Sequence, residues 1–473
     1  MLKKVTLSII FCIIFITGCI KVGPDYTPPD TPSPAAWNAE LKNGLSAKKV
    51  KPDIMGSWWD TFDDSVLSIL IKRGIAENLD LKKAKAKLWE ARAKRGMVKA
   101  ELFPALKTTG SASQRRSSEE SGRGATSELY TSGFDASWEI DIFGGKQRSI
   151  EAAEAELQAS HEELRDVMVS MTAEVAINYV ELRSLQARLS IAKANLDKQK
   201  SVYDITLWRN KAGLATMLDV EQAIYNVEQT RSRIPDLETG LEKAKNRIEV
   251  LLGVHSGNLD NMLTEPKAIP VPPFEVAIGV PADILRRRPD VRRDERILAA
   301  QTAQIGAVTA DRFPKFFLPG SIGLEALTPG GLFSSGARIS SIAANISWTI
   351  FDAGRIRQNI QVQNAKQKQA LIQYEATVLT ALEEVENALV AYAKEHIRSQ
   401  SLLEASLAAQ RAVEIVSCQY TSGRVDFQIL LDAQRTLLSL QDQLAESKGT
   451  ITSNLIRLYK ALGGGWTPVK PLK

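Results

Sequence analysis

Two long stretches of this chain carry an apolar residue at every seventh position. Between Asp352 and Leu462 the seam is Leu371, Val378, Val385 and Tyr392. It resumes beyond Gln419-Tyr420-Thr421-Ser422-Gly423 as Leu430, Leu437, Leu444, Ile451 and Leu458. A seven-residue period makes a narrow stripe that supercoils against neighbouring helices instead of filling a globular core. Gly423 can take the positive φ that ends a helix and turns the chain back. The pattern predicts a helical hairpin whose first arm, Arg355 to Cys418, reaches roughly 95 Å at about 1.5 Å per residue. The arrangement recurs 210 residues upstream, with Val220, Val227, Ile234, Leu241 and Ile248 as the seam and Gly213 as the turn. The same offset pairs Phe103-Pro104 with Phe313-Pro314, Trp138 with Trp348, and Leu252-Gly253 with Leu462-Gly463. One constant shift over that span marks a tandem duplication.

Outside the hairpins the period falls to two. Even positions from Tyr130 to Ile140 include Phe134, Ala136 and Trp138, while Asp135, Ser137 and Glu139 occupy the odd ones. In the second copy Ile342, Ala344, Ile346, Trp348 and Ile350 alternate with Ser341, Ala343, Asn345, Ser347 and Thr349. Strands are expected at about 104–114, 128–141, 315–326 and 338–350, the first two joined by a Ser-, Gly- and charge-rich loop over Arg115–Thr126. A strand in a soluble sandwich alternates in the same way. Here no second sheet exists to cover the apolar face, because everything else reads as helix, so the pattern fits transmembrane barrel strands. Four strands cannot close a barrel, and lipid does not tolerate open sheet edges, so several chains must share one. Two chains give eight strands, whose interior side chains fill; three give twelve, wide enough for a conduit.

The remaining boundaries follow from breakers. Lys3-Lys4, the apolar run Val5–Ile16 and the small residues before Cys19 describe an export signal over 1–18, too short to span a bilayer. Small residues directly before a cysteine resemble a bacterial lipoprotein signal, in which Cys19 becomes the lipidated first residue; an ordinary signal with an incidental cysteine is the alternative. Residues 19–62 are Pro-rich and polar, an anchoring segment. The first repeat is expected over 63–255, with Asn78 capping a helix that ends at Phe103-Pro104 and Pro235 bending the returning helix. Prolines 266, 270, 272, 273 and 281 mark a linker over 256–282. The second repeat follows over 283–463, its first helix opening near Pro289, and a short tail over 464–473.

Composition narrows the function. Apolar content of 44% is ordinary, and the net charge of +5, or +3 without Lys3 and Lys4, is too mild to imply nucleic acid, which an exported chain does not meet. His161, His255 and His396 show no metal-ligand spacing with one another or with the three cysteines. The methionines are scattered and give no soft-metal cluster. Cys418 is read as a buried small hydrophobe. With no catalytic constellation and no phosphate loop, the chain reads as a non-enzyme with no cofactor and no metal.

The most distinctive local run is ADILRRRPD over 282–290, continuing through ERILAAQ to IGAVTADRFP at 305–314. Its arginines 286–288, 292, 293 and 296 invite an anion-binding reading, but Asp290, Asp294 and Glu295 among them favour ion pairs within or between chains. With VGPDY at Val22–Tyr26 and LLDAQR at Leu430–Arg435, this run resembles the TolC-type outer-membrane factors, in the OprM/NodT-like lipoprotein branch, over essentially the whole mature chain. The resemblance implies a fold mainly α with transmembrane β: long helical hairpins forming an α-barrel across the periplasm, and a trimeric, twelve-stranded outer-membrane barrel. It implies a homotrimer in outer-membrane lipid that docks a periplasmic adaptor (membrane fusion) protein and an inner-membrane pump, as the exit channel of an efflux complex for small molecules. A type I secretion duct is the alternative. A periplasmic coiled-coil adaptor is a further rival, but it should have one hairpin and separate β-rich domains.

The resemblance also implies that Asp432 and Arg435 form a constriction ring at the periplasmic tip. They lie three residues apart, on one helix face just past the Gly423 turn. Gln428 stands four residues earlier, where that branch tends to be apolar. The 210-residue shift puts Gln222 and Tyr225 at the equivalent sites, so Tyr225 is a candidate partner in the constriction. The alternative is that Asp432 only favours the positive end of its helix, with Arg435 solvated.

Overall fold

In the computed structural model, residues 21–30, 34–42, 44–48, 52–122, 124–273 and 275–467 are described. Cys19, the export signal and the end of the tail lie outside them. In chain order the elements are β1 (Leu45–Ser46), α1 (Ser65–Glu77), α2 (Leu79–Ala100), β2 (Ala105–Arg116), β3 (Thr126–Ile140), α3 (Gly145–Lys211) and α4 (Met217–Leu252). Then come β4 (Val276–Ala277), α5 (Pro281–Arg287), α6 (Pro289–Thr309), β5 (Lys315–Ala326), β6 (Arg338–Ile342), β7 (Asn345–Ser347), α7 (Arg355–Thr421) and α8 (Phe427–Ala461). The chain divides into two compact units.

The first unit holds residues up to Asp30, Lys87–His161 and Arg293–Glu375. Its sheet runs β2-β3-β5-β6, with β7 also paired to β5, all antiparallel. The strand expected over 338–350 is therefore two pieces. Its interruption falls opposite Pro319, which has no N–H to offer and only accepts, at 3.0 Å, from the Ala343 amide. It ends at Ser347, whose partner is Lys315, so the next residue would face Pro314. Around the expected loop 115–126, β2 continues to Arg116 and β3 begins at Thr126, with a helical turn at Glu119–Gly122 between them.

The VGPDY segment is strapped onto this unit. The Val22 amide donates to the Phe143 carbonyl at 3.2 Å, and Lys21 pairs with Glu151. The buried Arg148 donates to Val22 O at 3.1 Å, Asp25 at 2.7 Å and Glu151 at 2.8 Å. Gly23, at φ +88°, lies against Gly306; a Cβ on Gly306 would come within 2.8 Å of the Val22 carbonyl and of Arg148 Cγ. Tyr26 donates to Glu295 at 3.0 Å with the Arg296 guanidinium over its ring. Burial, and then the Glu295 charge, push the Tyr26 hydroxyl well above its ordinary pKa.

The second unit holds Thr31–Ala86, Glu162–Arg292 and Ala376–Lys473. Asp64 accepts from the Val66 and Leu67 amides to open α1, and Asn78 accepts from the Leu81 amide at 2.8 Å to open α2. The seam lies in the core as its period requires: Val220, Val227, Ile248, Val378, Val385, Tyr392, Leu430, Leu437, Ile451 and Leu458 are all buried. α4 is a single helix through Pro235. A short parallel pairing of β1 with β4 ties the N-terminal segment to the linker, a contact that nothing in the local pattern announced.

Candidate functional site

Both hairpins turn on the same cap. Gly213 and Gly423 have φ of +72° and +73°. The following amides reach back six residues in the Schellman pattern, Leu214 to the Arg209 carbonyl at 2.8 Å and Arg424 to Gln419 at 2.9 Å. The returning helices start differently. Thr216 and Asp219 form a reciprocal capping box on α4, whereas Asp426, at the equivalent position before α8, makes no side-chain cap.

Within the second unit these ends are packed together. Tyr420, Phe427, Leu430, Leu431 and Ala223 make a small apolar cluster. Arg209 donates to the Tyr420 carbonyl at 2.9 Å and to that of Thr421 at 3.3 Å, and its guanidinium stacks on the Tyr420 ring. It thus caps the C-terminus of the other hairpin's first arm. Sequence reasoning missed Arg209, though a signal exists: the 210-residue shift replaces Arg209 with Gln419 and Asn210 with Tyr420, a break in otherwise matched turns.

Arg435 belongs to the same contact set. Its Nε donates to Asn226 Oδ1 at 3.3 Å, and its guanidinium sits over the Tyr225 ring, 5.1 Å from the centroid. Asp432 is 3.9 Å away and 60% exposed; it accepts instead from both directions of the Gln428 amide, at 3.2 Å each. The structure therefore joins Arg435, Tyr225 and Asn226, and separately joins Asp432 to Gln428. Gln222 is half-buried one helical turn before Asn226. Cys418 is exposed, not buried; its helix turns that position outward while Tyr420 fills the cluster.

The arginine run resolves mostly into local pairs. In the second unit Arg288 meets Asp290 at 2.6 Å and Glu384 at 2.7 Å, and Arg292 meets Glu162 at 2.8 Å. Arg287 donates to the carbonyls of Gly463 and Trp466, and burial lowers its pKa. In the first unit Arg293 pairs with Asp294 and Arg296 with Glu295.

The sheet presents two unlike pleats. Leu106, Phe134, Ile322, Ile342 and Ile346 share one, and all are exposed. Lys107, Asp135, Ser321 and Ser341 form one register row of the other. Trp138 and Trp348 close the apolar pleat at the helix-bearing end, donating to the Leu102 and Arg312 carbonyls at 2.8 and 3.1 Å, each bond the 210-residue image of the other. Among the described residues no helix is long and apolar enough to cross a membrane.

The model of the family described as "Outer membrane efflux protein" matches residues 70–254 and 280–464, two spans offset by the same 210 residues. The chain belongs to the outer membrane efflux protein family. It is 30% identical over 461 residues to nodulation protein T of Rhizobium leguminosarum bv. viciae, covering 97% of this chain and 93% of that one. It is 31% identical over 460 residues to the cation efflux system protein CusC of Escherichia coli, covering 96% and 98%. Among solved structures it resembles the outer-membrane channel OprN, with a TM-score of 0.89 at 36% identity over 95% of this chain and 100% of that one. For this efflux-family chain the fold is accordingly mainly α, with a β-sheet of outer-membrane type.

Proposed function

We propose that this protein is the outer-membrane exit duct of a tripartite efflux complex. The observation that carries the reading is the sheet of the first unit: one pleat is apolar and uncovered, and both edges, β2 on one side and β6/β7 on the other, are open. Such a sheet is stable in lipid only when copies close it edge to edge. Three copies give twelve strands and a water-filled lumen lined by the polar pleat. The halves 63–255 and 283–463 each supply strands to the barrel and one hairpin to a periplasmic helical duct. Family membership and the likeness to OprN and CusC support a homotrimer that receives small molecules from an inner-membrane pump through a periplasmic adaptor. The duct is passive and non-catalytic. The contact set of Arg435, Tyr225 and Asn226, with Asp432 beside it, is its gate at the hairpin tips.

Reconstitution tests this reading. The purified protein should migrate as a trimer before heating and should conduct ions in planar bilayers; a monomer without conductance overturns it. Cys19 is the proposed lipid anchor. Cys19→Ser should abolish metabolic lipid labelling while barrel insertion persists, since acyl chains add only about 0.8 kcal/mol per buried methylene to what the strands supply. An unlabelled wild-type protein would remove the anchor.

A further inference from the structure

We propose that the rim of the barrel farthest from the helices binds a phosphorylated glycolipid headgroup of the outer leaflet through Arg116 and Arg338. The inference rests on the barrel reading above. The sheet has two unlike ends. α2, α3, α6 and α7 all join the strands at one of them, whereas the other carries only the β2–β3 and β5–β6 loops. On the apolar pleat the only charged strand residues are Arg116, Glu128 and Arg338, and all three lie at the loop end. Strand alternation puts Arg116 on the face of Leu106, ten residues along β2, and Arg338 on the face of Ser340, which pairs with Ile322.

Two further facts point outward from the chain. Glu128, the one carboxylate on this pleat, is already used: Gln114 Nε2 donates to it at 3.1 Å and the Tyr130 hydroxyl at 3.2 Å. Among the described residues neither Arg116 nor Arg338 has a carboxylate at ion-pair distance, and both are exposed. Moreover β2 and β6 are the two edge strands, so closing the barrel brings Arg116 of one copy and Arg338 of its neighbour to the same joint. A guanidinium is weakly hydrated and offers paired donors that match phosphate oxygens. At headgroup depth on a lipid-facing surface, the group of matching charge and geometry is a lipid phosphate. The opposite end of the pleat has tryptophans whose N–H groups are tied to backbone carbonyls and no cation, so the preference is confined to one leaflet.

The test uses the full-length trimer, with lipopolysaccharide, its dephosphorylated form and inorganic phosphate as probes. Arg116→Gln and Arg338→Gln should each lower lipopolysaccharide bound per trimer about fivefold, with trimer yield in outer membranes unchanged. Arg115→Gln, on the opposite pleat, should have no effect. Dephosphorylated glycolipid should bind wild type no better than it binds the double variant. Equal lipopolysaccharide binding by wild type and double variant overturns the proposal, as does undiminished binding of the dephosphorylated form. Inorganic phosphate that binds the same arginines as tightly would also overturn it, because the site would then read a free anion. A wild-type protein that is monomeric or absent from outer membranes fails the barrel reading instead, and the two failures are separately visible.

Discussion

Phe134→Arg should nearly abolish assembled trimer in outer membranes, while Ser137→Arg should leave it close to wild type. Phe134 pairs with Thr108 on one side and Ile322 on the other, in the middle of the apolar pleat. Ser137 pairs with Ala105 and Pro319, on the opposite pleat with Asp135 and Glu139. A lipid-facing arginine costs about 2–4 kcal/mol near the bilayer midplane and almost nothing at the interface. Each trimer would carry three such penalties at the same depth. The lumen-facing arginine keeps its water and incurs none of them. Ile346→Arg offers a graded control. Ile346 pairs with Phe316, near the start of β5 and closer to the interface, so it should fall between the extremes, with Ser347→Arg harmless. Trimer yield, read from unheated gels of outer-membrane fractions, decides the matter. Equal losses for Phe134→Arg and Ser137→Arg would show that the pleats are wrongly assigned.

What could be read in the sequence was whatever depends on period and on local caps. The seven-residue seam is a property of each helix by itself, so Val385, Tyr392, Leu430 and Leu458 could be placed in the core before any partner was known. Asn78 and the two turn glycines announce themselves because capping is settled within a few residues. The interruption of the β6/β7 strand was hidden for the opposite reason: its cause, Pro319, is distant in sequence and acts only through register. The same holds for the β1–β4 pairing, and for Asn226 and Arg209, which matter because another segment arrives beside them. Cys418 was misplaced because a small, isolated thiol carries little periodic information. At the tip, the charged pair suggested by LLDAQR is not the principal contact. Arg435 reaches across to the first repeat, toward Tyr225, a residue the 210-residue shift had singled out.

That geometry ranks the tip variants. Arg435→Ala should raise resting conductance more than Asp432→Ala. The Arg435–Asp432 approach is 3.9 Å with Asp432 largely exposed, and such surface pairs contribute about 0–1 kcal/mol. Arg435 gives up more. It loses a hydrogen bond to the buried Asn226 side chain, typically worth about 1.5–3 kcal/mol when one partner is charged. It also loses the stack on Tyr225, worth about 0.5–1 kcal/mol at an exposed site. If these contacts hold the hairpin tips together in the closed duct, about 2 kcal/mol per chain shifts each subunit's closed-to-open ratio roughly thirtyfold. Tyr225→Ala and Asn226→Ala should each reproduce part of the effect. Asn226→Ala combined with Arg435→Ala should add little to Arg435→Ala alone, because both remove one bond. Gln428→Ala, which frees Asp432 without touching Arg435, should leave conductance near wild type. Single-channel recording on heat-stable trimers separates gating from misfolding. Unchanged conductance in Arg435→Ala and in the double variant with Asp432→Ala would leave both residues as ordinary helix-end charges. A larger effect from Asp432→Ala than from Arg435→Ala would move the gate to contacts between chains.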